Sequence, residues 1–384
     1  MMRDLVAEPD RAPPGLAEKV ASVNWGLVVL LSAIAGIGFA VLYSAAGGSF
    51  DPWAARSMMR FGLGLALMLS VAMIDIRFWY RAAWPFYGIS ALLLVLVDLK
   101  GTKGMGAQRW LELGPLSLQP SELMKVALVM VLARYFANLS HAEIGRPIRL
   151  LVPAGLVLLP AALVLKQPDL GTALMLALGS AGLMFLAGVR IWVFALGGLA
   201  GAGLVPVAWK FLRDYQKNRI LTFLNPENDS LGAGYHIMQS KIALGSGGMW
   251  GKGFLQGTQS HLSFLPEKQT DFIFTMFAEE FGLAGGLVLL GLYALTIGYG
   301  FLIGLRCRNQ FGRLLALGVA VNFFLYAFIN VAMVMGLLPI VGVPLPLISY
   351  GGTAMLTLMF GFGLVIGVWI HRDIRFNRGG GQDR

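Results

Sequence analysis

Uninterrupted apolar stretches dictate the solvent in which this chain folds. The runs 25–42, 150–165, 173–187 and 283–302 reach or approach the roughly 18 apolar residues that carry a helix across about 30 Å of hydrocarbon. None alternates with the two-residue rhythm of a barrel strand, so the pattern predicts a bundle of membrane-spanning helices. Composition agrees: 57% of the 384 residues are hydrophobic and 13% charged, about half the charged share of an ordinary soluble domain.

The expectation is an all-α polytopic membrane protein with about ten transmembrane helices, near 24–45, 58–75, 82–99, 121–138, 149–166, 170–188, 191–210, 272–304, 312–336 and 352–371. Residues 1–23 and 372–384 are the N-terminal and C-terminal tails of a transmembrane domain spanning 24–371. The stretch 272–304 is longer than a crossing needs, so it tilts or starts above the bilayer. Lys166-Gln-Pro-Asp169 is a very short connection and implies a helical hairpin.

Orientation follows from the basic residues. With the N-terminus inside, sixteen Lys and Arg residues fall in the tails and inner connections, Arg77, Arg146, Arg306 and Arg372 among them. The short outer loops hold six: Arg56, Arg60, Lys100, Lys103, Arg109 and Lys166. This asymmetry places both termini in the cytoplasm. The formal net charge of +10 is thereby a topology signal and implies no nucleic-acid partner. The first twenty residues are polar, with no apolar core and cleavage site, and read as a tail and not a signal peptide. A single cysteine, Cys307, excludes an intrachain disulfide and suggests no redox role.

Two outer loops break the apolar pattern, 100–121 and 211–271. The second, between spans 7 and 8, far exceeds an ordinary connection. Its Tyr235, Ile237, Trp250, Phe254 and neighbours can pack a small subdomain or lie in the interface, and Gly245 to Gly253 supply tight turns and close backbone approach.

Charged residues at membrane depth cost roughly 2.5–3.5 kcal/mol each on insertion scales and need a partner or a cavity. Three groups stand out. In Gln119-Pro-Ser-Glu-Leu-Met-Lys125, Pro120 suits a helix start, and Glu122 and Lys125 share one face, either as a functional pair or as a self-neutralising one. In Lys166-Gln-Pro-Asp-Leu-Gly-Thr172, Asp169 suits a helix N-cap or a ligand contact. In Glu267-Lys-Gln-Thr-Asp-Phe-Ile-Phe274, Asp271 is the last charge before an apolar helix, as a cap or as a working carboxylate. Cations mixed with carboxylates on the outer side (Arg109, Glu122, Lys125, Asp169, Lys241, Lys268, Asp271) suit an anionic, hydroxylated ligand such as a lipid-linked sugar phosphate. Walker A, His-Glu-x-x-His, paired Cys and Asp-x-Asp motifs are absent. The four histidines, His141, His236, His261 and His371, are scattered and form no ligand set.

These strings, together with Phe223-Leu-Asn-Pro-Glu227, Gly232-Ala-Gly-Tyr-His236, Gln239-Ser-Lys241, Leu265-Pro-Glu267 and Pro344-Leu-Pro-Leu-Ile-Ser-Tyr-Gly-Gly352, resemble the SEDS family (shape, elongation, division and sporulation) over nearly the whole chain. The loop text Trp250-Gly-Lys-Gly-Phe-Leu-Gln-Gly-Thr-Gln-Ser260 is closer to members serving rod elongation than to those serving division. The resemblance implies a ten-span fold and a peptidoglycan glycosyltransferase of the inner membrane that polymerises lipid II on its outer face. Implied partners are a class B penicillin-binding protein and other membrane proteins of the elongation complex. It maps the family's essential loop acid onto Asp271, with Arg109, Lys125, Lys268 and Lys241 as candidate pyrophosphate-binding cations and Glu122, Asp169 and Glu267 as supporting polar residues. Gln269 stands where many relatives carry His, so a His-dependent proton shuttle is not implied. No cofactor is fixed; a divalent cation, Mg or Mn, bridging carboxylate and pyrophosphate is compatible with these residues. A lipid II flippase and a scaffold for the penicillin-binding protein are the alternatives.

Overall fold

Helix starts and stops coincide with caps and breakers in the sequence. The computed structural model describes residues 15–104, 107–113, 116–211, 214–225, 233–258 and 268–374. A short α1 (Leu16–Ala21) leads into α2 (Trp25–Ala45), where the Asn24 side chain accepts from the Leu27 N–H at 3.2 Å. Helices α3 (Ala54–Met73) and α4 (Ile76–Lys100) are joined by a turn in which the Asp75 carboxylate accepts from the Arg77 N–H at 2.7 Å. Each such cap satisfies a backbone donor that the first helical turn leaves open.

Loop 100–121 then departs from the all-α expectation. It folds as a three-stranded antiparallel sheet, β1 (Thr102–Gly104), β2 (Ala107–Leu113) and β3 (Leu116–Leu118), in the order β1-β2-β3, with Leu111 opposite Leu118. The chain continues through α5 (Pro120–Ala137), α6 (His141–Ile144), α7 (Pro147–Lys166), α8 (Leu170–Ala187), α9 (Ile191–Phe211), α10 (Asp214–Leu224) and α11 (Ala233–Ser246). It ends with α12 (Ile273–Arg306), α13 (Gln310–Val334) and α14 (Gly352–Ile370).

Among the described residues, eight helices are long and apolar enough to cross a membrane. Expected spans 121–138 and 191–210 are helical, as α5 and α9, but fall outside that set. Helix α5 carries Glu122, Lys125 and Arg134, and the apolar part of α9 is the shorter Ile191–Gly203. Helix α13 is the central post, the most buried of the eight, packed on α5, α8, α12 and α14. At the other extreme α7 is the least buried, with Leu151 and Leu158 on its open face. In a membrane protein such exposed apolar side chains face lipid, and their exposure costs nothing.

The long stretch expected at 272–304 is two helical sections. Gly282 (φ 65°, ψ −166°) breaks α12 into 273–281 and 283–306. The glycine-rich segment before it supplies the missing backbone partners: Lys252 and Gly253 donate to the Glu279 and Glu280 carbonyls, and Leu283 and Ala284 donate to Gly248 and Met249, all at 3.0 Å. A Cβ on Gly282 would strike the Gly251 nitrogen, so this close approach demands glycine.

The bundle has two chemically distinct ends. At one, Lys19 donates to the Met73 carbonyl at 2.8 Å, Arg134 donates to Tyr80 at 2.9 Å, and the Arg308 N–H donates to the Arg372 carbonyl at 2.9 Å. Cys307 lies buried there, and burial pushes its thiol up to about 11. The sheet, α11 and the described residues 247–258 and 268–271 lie toward the opposite end, where Ser240 bonds the last carbonyl of α13 and Thr353 bonds the Ser117 carbonyl.

Candidate functional site

The site is organised by a non-helical segment, 335–351, between α13 and α14. Its Leu345, Leu347 and Ile348 are buried inside the bundle. Tyr293 donates to the Pro346 carbonyl at 2.7 Å, and a Cβ on Gly38, midway along α2, would lie 2.7 Å from the Leu347 carbonyl oxygen. Irregular backbone survives at such depth only when protein groups satisfy it. Those groups come from the residues preceding α12. Ser349 Oγ donates to the Thr270 carbonyl at 2.7 Å, and the Tyr350 N–H donates to the Gln269 carbonyl at 2.8 Å.

This clamp presents Asp271. The N-cap position of α12 is Phe272 and not Asp271, and the Phe272 side chain makes no cap bond. Asn330 Nδ2 donates to the Asp271 carbonyl at 3.0 Å and to the Val343 carbonyl at 2.7 Å. Asp271 is half-buried, and its Oδ2 lies 3.5 Å from where a Cβ on Gly342 would stand. On the other side of the same dipeptide, the Val341 carbonyl oxygen presses on Gly171 at the start of α8. Val341 and Gly342 thus join the α8 N-terminus to Asp271.

That N-terminus carries the first charged pair. Asp169 caps α8 as expected, accepting from the Thr172 N–H at 3.2 Å and the Thr172 hydroxyl at 2.9 Å. Its Oδ2 also faces Arg109 Nε at 3.4 Å, and Arg109 Nη2 donates to the Pro168 carbonyl at 2.9 Å. Strand β2 therefore delivers Arg109 to the helix end. The second pair, Glu122 and Lys125, is bonded at 2.8 Å with both side chains 5% exposed. Tyr326 donates to Glu122, and Lys125 Nζ sits 4.2 Å from the centre of the Tyr326 ring. Buried charges persist only when neutralised in this way. Tyr326 and Asn330 are four residues apart on α13, a rise of about 6 Å, so this pair lies roughly one helical turn from the Asp271 clamp.

Lys241 lies on α11, which Ser240 pins through bonds to the Val334 carbonyl and the Thr275 hydroxyl, both at 2.8 Å. The Lys241 side chain crosses Gly336, its Nζ 2.8 Å from where a Cβ would stand. Lys268 is half-buried three residues before Asp271, and desolvation lowers its pKa. Glu267 lies outside the described residues. Among the described residues no three His, Cys, Asp or Glu side chains gather as a metal-ligand set.

Sequence reasoning missed Tyr326 and Asn330, although two polar residues four apart in an apolar span are a readable cost. It also left Glu279 and Glu280 without a role. Glu279 accepts from Lys252 at 2.8 Å and Glu280 accepts from Ser44, so both fasten the glycine segment and α2 to the break in α12.

A helical bundle with buried acid–base pairs and a clamped carboxylate at the end opposite its arginine-rich rim defines an integral membrane protein with a polar site near one surface. The chain belongs to the FtsW, RodA and SpoVE family, described as cell cycle protein, which matches residues 21–374. It is 44% identical over 351 residues to the peptidoglycan glycosyltransferase MrdB of Escherichia coli (strain K12), covering 91% of this chain and 94% of that protein. It is 32% identical over 429 aligned positions to the peptidoglycan glycosyltransferase RodA of Treponema pallidum (strain Nichols), covering 91% and 98%. Its fold is similar to the rod shape determining protein RodA of Thermus thermophilus, with a TM-score of 0.70, 31% identity and coverage of 92% and 98%. A second solved structure, described as "Structural coordination of polymerization and crosslinking by a peptidoglycan synthase complex", contains a chain similar at a TM-score of 0.78 and 36% identity, covering 91% and 98%.

Proposed function

We propose that this chain is a peptidoglycan glycosyltransferase of the rod-elongation type, polymerising lipid II at the outer face of the cell inner membrane. The observation that carries the reading is the presentation of Asp271, whose main chain is held by Asn330 while the residue stays half-buried. A sugar 4-hydroxyl of the acceptor attacks the anomeric carbon of the donor. Asp271 takes the hydroxyl proton as general base while the bond from that carbon to the pyrophosphate oxygen breaks. The electron pair leaves with undecaprenyl pyrophosphate, and configuration inverts from α to β.

Negative charge gathers on the departing pyrophosphate, and fixed cations beside it stabilise the transition state. Arg109 and Lys268 are the proposed contacts, with Lys241 at the edge of the site. Lys125 contributes from within its pair with Glu122. Asp169 and Glu122 hold Arg109 and Lys125 in place, and Glu267 is assigned by motif alone. A divalent cation, Mg or Mn, would enter with the pyrophosphate of the substrate and neutralise part of its charge. The expected partner is a class B penicillin-binding protein that cross-links the strands, and the arginine-rich end of the bundle faces the cytoplasm.

The test is Asp271→Asn, purified and supplied with lipid II. The folded variant should lose about 10²–10⁴-fold of the polymerisation rate, read as glycan strands on a gel. Wild-type polymer from that variant would overturn the base assignment.

A further inference from the structure

We infer that Asn330 is a positioning residue for glycosyl transfer, fixing Asp271 through the main chain; the inference rests on the reading of Asp271 as the base. Asn330 sits near the end of α13 and is 0% exposed. Ile329, Met333 and Val334 around it are buried and apolar, so packing alone would be served by leucine. Its Nδ2 carries two hydrogens and meets two carbonyls, Asp271 at 3.0 Å and Val343 at 2.7 Å. One amide thereby ties the entrance of α12 to the non-helical segment 335–351. Those carbonyls belong to segments 59 and 13 residues away in sequence, so the amide adds a third tie beside the bonds from Ser349 and Tyr350.

The amide oxygen of Asn330 is buried and accepts no hydrogen bond from the described residues. Ser349 and Tyr350 hold Thr270 and Gln269, the residues before the carboxylate; Asn330 holds Asp271 itself. One turn away on the same face Tyr326 reaches Glu122. Helix α13 therefore sets the separation between the base and the buried Glu122–Lys125 pair, and a displacement of about 1 Å in such a geometry costs about 100-fold in rate.

Asn330→Asp is nearly isosteric and replaces the double donor with oxygens facing two carbonyls. In the full chain acting on purified lipid II, kcat should fall about 100-fold, with KM within about threefold. The acid limb of the pH–rate profile is read on the uncharged Asn330→Ser, where it should stay at the wild-type position, because a new carboxylate beside Asp271 would itself raise that limb. Asn330→Ser keeps one donor and should recover about tenfold of that loss. A folded Asn330→Asp with kcat within about threefold of wild type overturns the inference. If that variant does not purify as a single species, Asn330→Ser decides: a kcat equal to wild type overturns the inference, and a lowered kcat at unchanged KM supports it.

Asp271→Asn is measured alongside. If it polymerises at the wild-type rate, the base reading falls and takes the inference with it. If it is inactive while Asn330→Asp is normal, only the positioning role falls. The double variant should be no slower than Asp271→Asn alone, because the amide acts through the carboxylate it positions; additive losses would overturn it.

Discussion

The two sides of the site handle their carboxylates in opposite ways. On one, Glu122 and Lys125 are both buried, and their side chains satisfy each other and Tyr326. On the other, the main chain around Asp271 is satisfied by Asn330, Ser349 and Tyr350 while the residue is half-buried. Where a charge is sealed in, the protein neutralises it; at Asp271, the proposed base, the protein immobilises the backbone and the residue stays half-buried. Substitutions on the two sides should therefore fail differently.

The largest effect on stability is expected at the sealed pair. Lys125→Ala leaves a buried carboxylate without its cation, which costs about 3–5 kcal/mol. The charge-free double variant Glu122→Gln/Lys125→Met should recover most of that loss, since apolar replacement of a buried pair is often near neutral. Thermal unfolding in detergent separates these outcomes, and Asp271→Asn should unfold at the wild-type temperature. Equal unfolding temperatures for Lys125→Ala and Arg56→Ala, an outer-end control, would erase the contrast and mark Lys125 as a topological charge only.

An intermediate effect belongs to Arg109, which is 25% exposed beside Asp169. Asp169 keeps its two bonds to Thr172, so Arg109→Ala should cost about 1 kcal/mol of stability and about tenfold in polymerisation rate. Arg109→Lys should not restore the rate, because one ammonium cannot span both the Pro168 carbonyl and the Asp169 carboxylate as the guanidinium fork does. Full activity in the lysine variant would show that only a point charge is needed there.

How much of this was legible in the sequence depended on the range of the contact. The Asp169–Thr172 cap and the Glu122–Lys125 pair are three residues apart and readable from helical spacing. The close approach at the glycine segment was also visible, as was the excess length of 272–304, though the break at Gly282 was not. Bonds across 59, 204 and 236 residues, from Asn330 to Asp271, Tyr326 to Glu122 and Ser44 to Glu280, depend on how helices pack and leave no local mark. Helix α5 shows why apolar length alone misjudges a span: its charges lower its hydropathy, yet the fold pairs two of them deep against α13. The small sheet is not legible because two of its strands, Thr102–Gly104 and Leu116–Leu118, are three residues long, too short for an alternating pattern to show.

The smallest effect sharpens the reactive side. Desolvation lowers the pKa of Lys268, so its ammonium loses the proton at a lower pH than a free lysine does. If that charge meets the departing pyrophosphate, polymerisation should fall on the basic side from below the ordinary lysine range near 10.4. Lys268→Arg keeps its charge throughout, so the basic limb should move up while the rate at neutral pH stays within about twofold. Asn330→Ser, which alters geometry without adding charge, should leave that limb where it is. A basic limb that ignores Lys268→Arg would remove this lysine from the leaving-group side and leave Arg109 as its main cation.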